Sequence, residues 1–246
     1  MIDPIGELMT QDVILAAIVV FFGGFVQTSI GFGLAVVSAP LLFIINPSYV
    51  PAPITIATTV NCVFVFSYFR QSLSIKELVP AFIWRVPGSV CGAILLWALN
   101  EKLLALMIAL LIGVGVLVNY FRINIALSKR NLGLAGFFSG VTGTSTSIGG
   151  PPMAILLQGL PPNKIRSQLS AFFLFSCFIS LMVLAVTDHL NKAEWLLGLY
   201  LMPSTLLGSW VGALVSQKIK PEPMRIATLL LCVISVAVML RQYLVG

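Results

Sequence analysis

The chain has 246 residues, of which 59% are hydrophobic and only 9% charged, with a mean hydropathy of +1.04. A soluble domain carries about a quarter charged residues, so this composition cannot build a water-soluble surface and describes an all-α integral membrane protein. The net charge of +6 is no nucleic-acid signal, because most basic residues fall between apolar runs, where they set topology.

Met1 to Asp12 holds three acids and no Lys or Arg, which does not match a signal peptide. Residues 13–45 are then apolar apart from GGFVQTSIGFG at Gly23 to Gly33. That length exceeds one upright span of about 20 residues and falls short of two. Two half-helices of roughly 16 and 13 residues meeting at the interruption would make a re-entrant hairpin. Spans follow near 50–69, 78–98 and 103–121. The plan then repeats: a broken segment at 132–158 around GVTGTSTSIGGPPM (Gly140 to Met153), and spans near 165–187, 194–216 and 224–243.

The repetition extends to residues. Thr28–Gly31 and Thr146–Gly149 both read TSIG, 118 positions apart, and Gly88–Ala93 matches Gly208–Ala213 at 120. Two nearly collinear matches predict two homologous halves, 1–126 and 127–246, together one transport domain. Each would hold a broken hairpin and three transmembrane helices. Gly88-x-x-x-Gly92 and Gly208-x-x-x-Gly212 predict close helix packing.

Lys and Arg counts give the expected topology. With both hairpins re-entrant, Arg70, Lys76, Arg122, Lys129, Arg130, Lys164, Arg166, Lys218, Lys220 and Arg225 share one side, against Lys102, Lys192 and Arg241 on the other. The ten-to-three bias makes the first side cytoplasmic and both termini non-cytoplasmic. Three crossings per half, an odd number, invert the halves relative to each other. Trp97, Trp195, Tyr49, Tyr68, Tyr120 and Tyr243 fall near span ends, as an aromatic belt requires.

A helix broken at membrane depth exposes backbone groups that only protein or a water-filled cavity can satisfy. Half-helix N-termini at Gly31–Gly33 and Gly149–Gly150 would aim N–H groups and positive dipole ends at one cavity. Gln27, Thr28, Ser29, Ser145, Thr146 and Ser147 add neutral donors, and Thr58, Thr59, Asn61, Ser167, Gln168 and Ser170 are further candidates. No Asp or Glu lies deep in a span. Arg85 does, about eight residues or roughly 12 Å into one. A buried arginine without an acid at its depth costs several kcal/mol and suits an anion held by the guanidinium fork. Lys164, Arg166 and Arg122 read as topology residues.

The four cysteines lack Cys-x-x-Cys spacing and His189 is a single loop histidine, so no metal, cofactor or disulfide is expected. An enzyme would need a nucleophile–base pair or metal cluster inside the membrane, and none is legible. A channel-like pore is the other rival. The expected partners are a small anion and the bilayer, with a proton as coupling ion and a second copy of the chain left open.

Three groups of residues carry a family likeness: the two broken segments, PPNKIRSQLSAFF from Pro161 to Phe173, and RVPG from Arg85 to Gly88. They resemble the sulfite exporter TauE/SafE family of membrane permeases over nearly the whole chain. The resemblance implies transport of a small sulfur anion such as sulfite or an organosulfonate, across a bacterial inner membrane. The first copy has Phe-Gly-Leu at 32–34 where the second has Gly-Pro-Pro, so unequal contributions from the two hairpins are expected.

Overall fold

The computed structural model describes residues 4–120, 125–216 and 221–241. The expectations for Arg122, Lys218, Lys220 and Tyr243, and for the side chains of Tyr120 and Arg225, lie outside the described residues. Every regular element among those described is helical. The order is α1 (Pro4–Ile30), α2 (Leu34–Ile45), α3 (Ala52–Phe69), α4 (Ile75–Ala98), α5 (Glu101–Tyr120), α6 (Lys129–Thr146), α7 (Gly150–Leu157), α8 (Pro162–Val186), α9 (Lys192–Val215) and α10 (Pro221–Leu240). Stretches of α1, α3, α4, α8 and α9 are long and apolar enough to cross a membrane.

The two breaks are narrower than the sequence suggests. Gly23, Gly24 and the run from Gly140 to Thr146 are helical, and only residues 31–33 and 147–149 leave the helix. The Ser and Thr hydroxyls make this possible by bonding the carbonyl four residues back: Ser29 to Phe25 (2.8 Å), Thr142 to Phe138 (3.0 Å), Ser145 to Val141 (2.7 Å) and Thr146 to Thr142 (2.8 Å). Such back-bonding lets hydroxyls sit in an apolar helix without an external partner. The turns use positive φ at Gly31 (106°), Gly33 (131°) and Ser147 (64°). The arms are unequal, with 27 and 12 residues in the first hairpin and 18 and 8 in the second, not 16 and 13.

The helix ends also revise the pairing of the two segments. α1 ends at Ile30 and α6 at Thr146, while α2 begins at Leu34 and α7 at Gly150, both 116 positions apart. Thr28 therefore corresponds to Thr144 rather than Thr146, and Gly31 to Ser147. The glycine contacts agree, since Gly208 and Gly212 meet Phe21, Phe25 and Thr28 as Gly88 and Gly92 meet Phe137, Val141 and Thr144.

Packing runs between the first and last five helices. α4 lies along α6 and α1 along α9, with α3 crossing α8 and α9. Small residues allow the approach. A Cβ at Gly212 would stand 2.7 Å from the Phe25 carbonyl oxygen and 3.1 Å from Thr28 Cβ. One at Gly92 would meet the Val141 carbonyl and Thr144 in the same way, and Gly88 and Gly208 abut the Phe137 and Phe21 carbonyls. Trp97, Trp195 and Tyr68 are exposed, but Tyr49 is buried in the core and belongs to no belt.

Overpacking typically costs 1–3 kcal/mol. Gly212→Ala should accordingly lower the unfolding temperature in detergent, while Gly159→Ala, whose Cβ would meet nothing within 4 Å, should not.

Candidate functional site

α4 presents one buried stripe, Leu78, Ala81, Arg85, Gly88, Ser89 and Gly92, at helical spacing. Arg85 sits on that stripe and is only 2% exposed, whereas its neighbours Ile83, Trp84 and Val86 face outward. Its side chain therefore points into the protein and does not snorkel to a headgroup. The guanidinium donates through Nη1 to the Ser139 carbonyl and through Nη2 to Ser180 Oγ (2.7 Å) and the Ser176 carbonyl (3.3 Å). Nε has no partner. Gly143 makes room for the group, since a Cβ there would lie 2.9 Å from both Nη atoms. Every oxygen that Arg85 contacts is neutral, so its hydrogen bonds are largely met while its charge is not.

Arg85 lines a cavity of about 40 Å³. One water needs about 10–15 Å³ of such space, so this one holds several waters or a compact ion. Of the residues expected at the site, Gln27, Gly33, Arg85, Ser147, Gly149 and Gly150 line it, together with Thr58. The first broken helix supplies its start directly. Gln27 Oε1 accepts the Leu34 N–H (3.0 Å), and the next two residues, Ala35 and Val36, face the cavity. N–H groups at these positions have no acceptor within their own helix. At the corresponding positions α7 has Pro151 and Pro152, which carry no N–H. The hairpins are thus chemically unequal, with α2 the richer in donors.

Seven expected residues do not line the cavity. Thr28 and Asn61 belong to a buried cluster, where Asn61 Nδ2 reaches Thr28 Oγ1 (3.2 Å), Ser209 Oγ (2.7 Å) and the Gly24 carbonyl (3.4 Å). That cluster ties α3 to α1 and α9. Ser29, Ser145 and Thr146 are spent on their own helices, and Ser170 on the Ser167 carbonyl (3.0 Å). Gly31 packs against Arg166. Among the further candidates, Thr59 bonds the Thr55 carbonyl (2.8 Å) and Gln168 reaches Glu77 (3.1 Å).

Arg166, expected as a topology residue, is buried. It is 8% exposed, donates from Nη2 to the Ser29 carbonyl (2.6 Å) at the end of α1, and stacks its guanidinium over Phe69. Lys164 pairs with Glu77 at 3.1 Å.

Sequence reasoning missed Thr55, Ser139, Gly143, Ser176, Cys177 and Ser180. Ser139/Gly143 and Ser176/Ser180 are four apart, and Thr55 lies three before Thr58. Small polar residues at that spacing on otherwise apolar helices were the available signal. Ser147 is held by the Pro51 carbonyl (2.7 Å) and shares a hydrogen bond with Thr55 Oγ1 (2.8 Å), which fastens its left-handed turn. Among the described residues no three His, Cys, Asp or Glu side chains form a metal-binding group. His189, in its loop, bonds Thr187 Oγ1 (3.2 Å) and stacks on Trp97.

Gln27→Leu removes the acceptor of the Leu34 N–H at the start of α2. An unsatisfied buried donor costs about 1–3 kcal/mol. The substitution should lower the thermal unfolding temperature, and Gln27→Glu, which keeps an acceptor, should lower it less.

The family model described as sulfite exporter TauE/SafE matches residues 16–239, nearly the whole chain. No curated protein and no solved structure matches.

Proposed function

The chain belongs to the sulfite exporter TauE/SafE family, a family of membrane transporters of sulfur anions, and from that premise we propose that it is a secondary carrier for a small sulfur oxyanion or organosulfonate. It would work by alternating access around the Arg85 cavity, between two inverted halves, 1–126 and 127–246, in a bacterial inner membrane with both termini outside the cytoplasm. The observation that carries this reading is a buried guanidinium that contacts only neutral oxygens, in a cavity shared with the start of α2. Fixed positive charge and N–H donors in a low-dielectric site favour an anion.

The matching contacts of Gly92 with Val141 and Thr144, and of Gly212 with Phe25 and Thr28, support the paired halves. In that arrangement each half's broken helix packs on the other half's glycine-bearing span, so one rocking motion moves both. An inside-negative potential would drive anion export with about 2.3 kcal/mol per charge at 100 mV. Among the described residues no carboxylate lines the cavity, so a proton relay through an acid at the site has no support.

A ligand that binds only the folded state adds about 2.7 kcal/mol of stability at 100 times its Kd. Sulfite or a short alkanesulfonate should therefore raise the unfolding temperature of the purified protein, with alkali cations having no such effect. Arg85→Leu should abolish the rise while remaining helical by circular dichroism. An undiminished anion effect in that variant would sink the role given to Arg85. In vesicles the flux should saturate and show counterflow, as a pore's would not.

A further inference from the structure

A second cavity, of about 270 Å³, lies on the other side of the first hairpin's tip. Its walls are mostly apolar, with Ile112 and Val116 from α5, Ala154 and Ile155 from α7 and Leu169 from α8, and with Ser29 and Gln158 as neutral polar members. Among the described residues one charged side chain lines it, Arg166, and no Asp or Glu does. Arg166 is more than nine-tenths buried and its Nε has no partner.

The two cavities share a wall. Val36 lines both, Phe32 lines the larger and Phe173 the smaller. All three converge on the bare backbone of Gly150, where a Cβ would stand 3.6 Å from the Phe173 ring, 3.9 Å from Phe32 and 4.0 Å from Val36. A thin apolar partition therefore separates a small polar chamber containing Arg85 from a large apolar one containing Arg166. Along α8, the ten residues from Arg166 to Ser176 put the two arginine stations about 15 Å apart.

We propose that the larger cavity is a second binding station, for the hydrocarbon part of an organosulfonate whose anionic head lies beside Arg166. This rests on the carrier reading and narrows its substrate class. Inorganic sulfite has nothing to place against those apolar walls, and the small cavity has no volume for an alkyl chain. A head and tail together use both features, charge at one end and apolar area along the rest. The partition of Phe32, Val36 and Phe173 is then the step between the stations. The same chemistry, one anionic head with a hydrocarbon chain, also describes a membrane lipid, and the test separates the two.

The probes are sulfite and the series from methanesulfonate to butanesulfonate, titrated calorimetrically into the purified full-length protein. Affinity should rise roughly fourfold per added methylene, the increment that burying one CH₂ gives. Ala154→Phe, which fills the cavity, should flatten the series and leave sulfite affinity within about twofold; Gly115→Leu fills it from α5 if that variant does not fold. Arg166→Gln should weaken butanesulfonate at least about tenfold, the equivalent of roughly 1.4 kcal/mol. A flat series on wild type with sulfite still bound overturns this inference and leaves the carrier reading standing. If neither sulfite nor any sulfonate binds, both fall. A chain-length gain that survives in every filled or neutralised variant puts the tail elsewhere and also overturns it. So does an anionic phospholipid, seen by native mass spectrometry, that Ala154→Phe expels and butanesulfonate cannot displace.

Discussion

The architecture depends on closing helix ends where there is no water. A helix that stops inside an apolar chain leaves unpaired carbonyls at one end and unpaired N–H groups at the next start, each costing several kcal/mol in hydrocarbon. Here the closures come in part from across the chain. The Ser29 carbonyl at the end of α1 receives Arg166 from α8, and the turn after α6 is pinned by Ser147 to Pro51 and Thr55 beside α3. Away from the ends, Arg85 from α4 grips the mid-helix Ser139 carbonyl of α6. Other closures act within one hairpin: Gln27 Oε1 accepts the Leu34 N–H, Thr146 Oγ1 accepts the Ile148 N–H, and Ser139 Oγ donates to the Gly149 carbonyl. Each hairpin is therefore tied in part to helices on the far side of the chain, the first to α8 and the second to α3.

The same constraint explains what the amino-acid pattern made legible. An apolar composition with two Gly-rich interruptions points to broken membrane helices, because irregular backbone inside a hydrophobic span must be held by protein or a cavity. Arg85 was legible for an electrostatic reason: no acid shares its depth, so it must find neutral oxygens or an anion. The extent of the breaks was not legible, because a Ser or Thr that bonds its own helix four residues back reads the same as one that lines a cavity. Thr146 and Ser147 are adjacent, yet the first is spent on Thr142 and the second turns left-handed to meet α3. The 118-residue offset failed for the same reason. Serine at positive φ leaves no mark in sequence, while glycine at Gly31 does.

The burial of Arg166 was not legible, because a basic residue between apolar runs looks in sequence like any other topology marker. Its burial comes from Phe69 and the Ser29 carbonyl, contacts about 100 and 137 residues away in sequence that no local pattern reveals. The serines at 176 and 180 drew no attention in the sequence, where they are two small polar residues in an apolar helix. What makes them cavity residues is the arginine that reaches them from α4.

Correspondence between the halves is close in packing and broken in charge. Ser89 and Ser209, 120 apart, each bond the carbonyl four residues back, at 3.0 and 2.6 Å. Four positions earlier, also 120 apart, one half has Arg85 and the other Thr205, whose hydroxyl is spent on Leu201 (2.9 Å). The equivalent of Ser180 near Arg85 is a cluster in which Asn61, not a cation, joins Ser209 and Thr28. On the carrier reading, matched packing would let two halves exchange conformations at similar energy, and matched charge would not help. A second buried guanidinium beside the first would add repulsion and another desolvation cost of several kcal/mol for one anion to offset. On the carrier reading, the scaffold keeps its pseudo-symmetry where helices slide past one another and gives it up where a single ion is held.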